Sequence, residues 1–209
     1  MMSYRRWTCL VVLSIALLLT TARGAAAGAP TDQLRQHIDE VLKVVQSPEH
    51  GTPAEAKVIR TIATKIFDFQ ETAKRSLGPH WQQRTPPQRE EFTKLFTDLL
   101  EHSYVTRIQQ YAGEKIEYVS ETVEGDQATV KTRIVTKKGT EVPIEYRMMR
   151  ESDQWRVYDV MIEGVSLISN YRTQFNKIIR TSSYDDLIAK MRAKEFSAPE
   201  ADKQPKQRS

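Results

Sequence analysis

Trp155 to Phe175 reads W-R-V-Y-D-V-M-I-E-G-V-S-L-I-S-N-Y-R-T-Q-F, the part of the chain densest in aromatic and branched apolar residues mixed with turn residues. The run predicts a central β-strand that passes through a turn at Gly164 into a helix. Ser166 or Asn170 supplies the cap of that helix, and Tyr171, Phe175, Ile178 and Ile179 give its apolar face. Asp159 falls inside the apolar strand, where a carboxylate has to be hydrogen-bonded or paired. Arg172 and Arg147 are its candidate partners.

Upstream of this stretch the apolar residues recur with period 2. Ile116, Tyr118 and Ser120 lead to a turn at Glu124-Gly125-Asp126, and Ala128, Val130, Thr132 and Ile134 alternate with Thr129, Lys131 and Arg133. Lys138-Gly139 turns the chain again. Val142, Ile144, Tyr146 and Met148 follow, and Ser152-Asp153 turns into Trp155, Val157 and Asp159. The pattern predicts an antiparallel meander of about four strands with one wet face and one apolar face.

Further upstream the period is 3.6. Leu34, Ile38, Val41, Leu42 and Val45 form one helical stripe, ended by Ser47-Pro48. Thr52, Pro53 and Glu55 open a second helix with Ile59, Ile62, Ala63, Ile66 and Phe67. Asp68 caps a third, which ends at Gly78-Pro79, and a loop covers His80 to Arg84. Thr85-Pro86 opens the longest helix, with Phe92, Leu95, Phe96, Leu99, Leu100, Tyr104, Ile108 and Tyr111 in its stripe and Gly113 as its C-cap. Ser183 starts a last helix carrying Leu187, Ile188 and Met191. Helices first, a curved antiparallel sheet next and helices last make an α+β fold with helices packed on one face of the sheet.

The first residues have the form of an export signal. Arg5 and Arg6 are a positive start, Cys9 to Leu19 an apolar run too short to span a membrane, and Gly24 to Ala29 a small-residue stretch with cleavage expected before Gly28. Residues 1–27 are therefore assigned to a signal peptide, 28–196 to one domain, and 197–209 to a disordered tail without large apolar side chains. Loss of 1–27 removes Arg5, Arg6 and Arg23 and no acid, so the formal charge falls from +4 to +1. The basic pI thus resides largely in the leader, and nucleic-acid binding loses its support. The single cysteine, Cys9, is also in the leader. The exported domain is then free of disulfides and of cysteine-based metal sites.

Catalytic constellations are absent from the pattern. His37, His50, His80 and His102 have no metal-ligand spacing, and there is no G-x-S-x-G elbow, Walker loop or dinucleotide-binding turn. Ser166 in G-V-S is read as a helix cap rather than a nucleophile, because no base is spaced to activate it. Neither enzymatic activity nor a cofactor or metal is expected.

Several segments in order carry a family resemblance. They are F-D-F at Phe67–Phe69, L-G-P-H-W at Leu77–Trp81, P-x-Q-R-x-E-F-x-x-L-F from Pro86 to Phe96, Y-A-G-E at Tyr111–Glu114, P-I-E-Y-R at Pro143–Arg147, and the Trp155–Phe175 stretch. Over about residues 34 to 194 the chain resembles the MlaC family, also called the toluene-tolerance or Ttg2 auxiliary family.

The resemblance implies a periplasmic carrier of glycerophospholipids. Its partners would be the inner-membrane ABC transporter complex and the outer-membrane lipoprotein complex of the Mla pathway. The implied fold is like cystatin and nuclear transport factor half barrels, with acyl chains in an apolar cavity between sheet and helices. Candidate lining residues are Phe92, Phe96, Leu99, Leu100 and Tyr104 on the long helix, Ile144, Tyr146, Trp155 and Val157 on the sheet, and Val165, Leu167, Ile168, Tyr171 and Phe175 after it. About half are expected to touch lipid, since apolar stripes also serve as ordinary core. A hopanoid cargo and a cargo-free adaptor of the transporter are the alternatives.

Overall fold

The structure is a computed structural model that describes residues 29–48, 51–110 and 113–196. The segment expected to be a signal peptide, the expected tail from 197, His50 and Tyr111 lie outside the described residues.

Helix α1 (Pro30–Val45) is followed by α2 (Pro53–Ile66) and α3 (Phe69–Leu77). Two of these begin on the expected caps: the Thr52 hydroxyl accepts from the Glu55 N–H, and the Asp68 carboxylate from the Glu71 N–H. Gly78 stops α3 with φ 58° and ψ −131°, a conformation open in practice only to glycine. The side chain of Arg172 lies against this glycine, and its Nε donates to the Arg75 carbonyl at 2.8 Å. The residues after it were expected to form a loop. They wind instead into a 3-10 helix, Gly78–Gln83, because Pro79 presets the turn and Trp81 is buried at its centre.

Helix α4 (Pro86–Gln109) starts in a full capping box, Thr85 with Gln88. It stops short of Gly113: Gln110 is its cap, with its N–H on the last-turn carbonyls, and Gly113, φ 88°, instead turns the chain into the sheet.

The sheet is a meander of β1 (Lys115–Glu124), β2 (Gln127–Val135), β3 (Glu141–Glu151), β4 (Gln154–Ile162) and β5 (Val165–Ser166), antiparallel in that order. The fifth strand, two residues long, adds to the four expected. Glu163 (φ 51°) and Gly164 (φ 81°) join it to β4, both in the left-handed region that a two-residue hairpin turn requires. Strand β4 is therefore penultimate rather than central. Its exposed edge is covered by the chain entering α3: Asp68 N–H donates to the Val157 carbonyl, and the Thr72 hydroxyl to the Tyr158 carbonyl, both at 2.9 Å.

Two bulges decide which side chains face inward. Trp155 and Val157 lie opposite Arg150 and Met148, but beyond Tyr158 the partners are Tyr146 with Val160 and Ile144 with Ile162. The extra residue shifts the phase, so the inward set passes from odd to even numbers and Asp159 moves to the face of Arg147. A second bulge at Val119 separates Ser120 from the face of Tyr118 in the same way.

Helices α5 (Leu167–Thr181) and α6 (Tyr184–Arg192) complete the chain, capped by Ser166 and Ser183. Asp159 joins the sheet to α5. Its carboxylate accepts from the Ser166 hydroxyl at 2.7 Å and from the Ile168 N–H at 3.2 Å, and Arg147 lies 3.5 Å away. Of the two arginines considered, Arg147 is the partner. Since the Ser166 hydroxyl also accepts from the Ser169 N–H, its proton is committed to Asp159 and one of its lone pairs to the cap.

The buried residues form separate cores. One gathers α3, α4, α5 and α6 around Phe92, Phe96, Tyr171 and Phe175, and another packs α1 and α2 on the sheet around Leu34, Val130, Met148 and Val157. The opposite face of the sheet is wet and carries ion pairs such as Lys131–Glu145 and Arg133–Glu117.

The Asp159→Ala variant is expected to lose about 2–3 kcal/mol of stability in urea denaturation, because two buried donors lose a charged acceptor. Arg147→Ala, at a half-exposed ion-pair partner, should lose less than about 1 kcal/mol. Equal effects would contradict this account of the joint.

Candidate functional site: an apolar hollow between sheet and helices

Between the two cores the walls do not meet. They enclose a hollow of about 600 Å³, within the range of small-molecule binding pockets. Its floor is the inward face of the sheet, with Ile134, Val142, Ile144, Tyr146, Val160 and Ile162. Its roof is α1, α2 and the C-terminal half of α4. Many of these apolar side chains, Ile38, Leu42, Ile134, Val142 and Ile162 among them, are only partly buried, because they border the hollow instead of interlocking.

Of the proposed lining residues, Phe96, Leu100, Tyr104, Ile144, Tyr146, Leu167 and Ile168 border the hollow. Phe92, Leu99, Tyr171 and Phe175 lie in the helical core, where the rings of Phe92, Phe96, Tyr171 and Phe175 contact one another with centroids 5.1–5.8 Å apart. Trp155 and Val157 are buried in the sheet core. Val165 is 54% exposed and lies outside the lining.

Wall residues missing from that set come mostly from α1 and α2: Leu34, Ile38, Val41, Leu42, Ile59, Ala63 and Ile66. Their helical stripes were visible in the sequence, but periodicity gives no sign of whether a stripe meets another wall or a gap. Val160 and Ile162 were missed because the bulge at Tyr158 reverses the strand's phase.

Polar side chains gather toward one end. Glu114, Thr136 and Glu163, at the ends of β1, β2 and β4, and Arg107 and Gln110, at the end of α4, border the hollow there. Glu101 lies farther along α4 and pairs with Arg60 at 3.2 Å. Burial raises its carboxyl above the ordinary range, against the lowering effect of Arg60.

Tyrosines in and around the hollow are held protonated by burial. Burial pushes Tyr146 up to about 12, against the lowering effect of the neighbouring Thr132 hydroxyl, and raises Tyr104 as well. Among the described residues no group of three histidine, cysteine or carboxylate side chains could hold a metal ion. No helix among them is long and apolar enough to cross a membrane.

An open antiparallel sheet, six described helices and an apolar hollow between them define an α+β binding domain. The chain belongs to the MlaC family, whose model, described as MlaC protein, matches residues 35–193. It is 24% identical over 196 residues to the intermembrane phospholipid transport system binding protein MlaC of Haemophilus influenzae, covering 90% of this chain and 92% of that one. To the toluene tolerance protein ttg2D of Pseudomonas putida it is 23% identical over 191 residues, covering 88% and 87%. Among solved structures it resembles the phospholipid-binding protein of Ralstonia solanacearum, determined in complex with a phospholipid. The TM-score is 0.73 at 21% identity, with 79% of this chain and 96% of that chain covered.

The tyrosines set a pH dependence. A folded pKa above the unfolded value of about 10 contributes stability that is complete below pH 10 and lost as pH rises through about 12. The urea midpoint should therefore fall across that interval, and Tyr146→Phe should flatten the fall. A Tyr146→Phe curve parallel to the wild type would contradict the burial of that hydroxyl.

Proposed function

We propose that this protein is a periplasmic carrier that holds the acyl chains of a glycerophospholipid in the hollow and moves the lipid between the outer-membrane and inner-membrane complexes of the Mla pathway. The observation that carries this reading is the apolar hollow of about 600 Å³. Exposing acyl chains to water costs roughly 0.8 kcal/mol per methylene, or on the order of 20 kcal/mol for a diacyl lipid. Unassisted crossing of an aqueous gap is thus negligible, and a walled apolar space removes most of that penalty. The names of the relatives, an intermembrane phospholipid transport protein and a phospholipid-binding protein, support the same reading. The chain acts by binding, and Ser166 serves as a helix cap.

Organic extracts of the purified mature protein should contain phospholipid, identified by mass spectrometry. Ile38→Asp and Leu100→Asp place a carboxylate on partly buried walls of the hollow. Each should lower the lipid recovered at least about tenfold while circular dichroism stays that of a folded protein. Lys131→Asp, on the wet face, should leave it unchanged. Leu99 and Val157 are poor positions for this test, since both are core residues and a charge there unfolds the protein. Wild-type protein free of lipid after every mild purification would contradict the proposal.

A further inference from the structure

We infer that Arg107 binds the phosphate of the cargo lipid at the mouth of the hollow, an inference that rests on the carrier reading and adds a polar anchor to it. Among the described residues bordering the hollow, Arg107 is the one cation. It has no ion-pair partner among the described residues, and its guanidinium instead lies 5.8 Å from the ring centroid of Tyr104. Glu101, farther along the same helix, is already neutralised by Arg60. The wall therefore offers one uncommitted positive charge, and it stands where the apolar lining ends.

Its depth fits a phospholipid. Phe96 and Arg107 both border the hollow on α4, and the helical rise separates them by about 16 Å. One leaflet's share of a bilayer's hydrocarbon core is about 15 Å. A lipid whose chain ends reach Phe96 then has its glycerol and phosphate level with Arg107. Gln110, the cap of α4, and Thr136 at the facing end of the sheet make that level polar, as a phosphodiester requires, while the carboxylates of Glu114 and Glu163 at the same end oppose an anion and leave Arg107 as the group that holds it. Guanidinium donors match phosphate oxygens in pairs, and the bonds are charge-assisted. A position near water keeps the gain modest, because solvent screens the pair.

A cation in the last turn of a helix also offsets the helix dipole, and the test must separate that role from phosphate binding. Dioleoylglycerol has the same tails as dioleoylphosphatidylcholine but lacks the phosphate, so it reports tail binding alone. Delipidated mature protein is incubated with vesicles containing both, and uptake is read by native mass spectrometry. Wild-type protein should favour the phospholipid about tenfold. Arg107→Gln should bring the ratio close to one with diacylglycerol uptake unchanged, and Arg107→Lys should keep part of the preference. Millimolar inorganic phosphate should not disturb the wild-type ratio; if it abolishes the preference, the group is a free-phosphate site and the inference fails. A ratio unaffected by Arg107→Gln, or equal loss of both lipids in that variant, would overturn the inference and leave the carrier reading intact. Uptake of neither lipid by the wild type would overturn both.

Discussion

The hollow exists because its walls are held apart by packing elsewhere. In the helical core the rings of Phe92 and Phe96 on α4 lock against Tyr171 and Phe175 on α5, and Phe196 adds an edge contact on Phe175. At its other end α4 is gripped by a smaller core, in which Val105 packs with Val45 and Ile59 of α1 and α2. A helix anchored at both ends and 24 residues long acts as a beam, and the stretch between its anchors cannot settle onto the sheet. The magnitudes make this constraint necessary. Apolar cavities destabilise by about 24 cal/mol per Å³, which for 600 Å³ gives on the order of 14 kcal/mol as an upper bound, since the polar mouth admits water. That is comparable with the whole stability of a domain. An interior of this kind persists when its frame is rigid, and it gains most from an apolar guest.

The sheet contributes the facing wall and controls its orientation with bulges. Without the extra residue at Tyr158, strict alternation would place Asp159 beside Trp155 and Val157. Val160 and Ile162 would then face away from the apolar interior. With it, one strand serves the sheet core at its beginning and the hollow at its end. Asp159, freed from the inward row, caps the entrance to α5 and ties the sheet to the helical core. The frame that keeps the hollow open and the link between its two halves thus depend on the same irregularity.

Much of this architecture could be read from the sequence because it is local. Thr52, Asp68, Thr85 and Ser183 were recognisable as caps, since capping depends on residues within one turn, and each begins the helix expected of it; of the two candidates for α5, Ser166 and Asn170, Ser166 is the cap. Strand alternation likewise located β1 to β4. What the sequence concealed is non-local. The end of α4 at Gln109, the 3-10 turn around Trp81 and the two-residue β5 depend on what packs beside them. So does the difference between a core residue and a wall residue. Phe92 and Phe96 are one turn apart on the same stripe, yet only Phe96 borders the hollow. Periodicity reports which side of a helix is apolar, and distance between elements decides what that side meets.

The central claim is that acyl chains occupy the space between the sheet and the C-terminal half of α4. Nuclear Overhauser contacts between lipid methylenes and methyl-labelled protein, in the mature protein loaded with one phospholipid species, test it most directly. Contacts should appear at Ile38, Leu100, Val160 and Ile162 and be missing at Leu187 and Ile188 of the helical core. Methylene contacts confined to surface methyl groups such as those of Val119 and Val165, with none from the walls, would contradict the account.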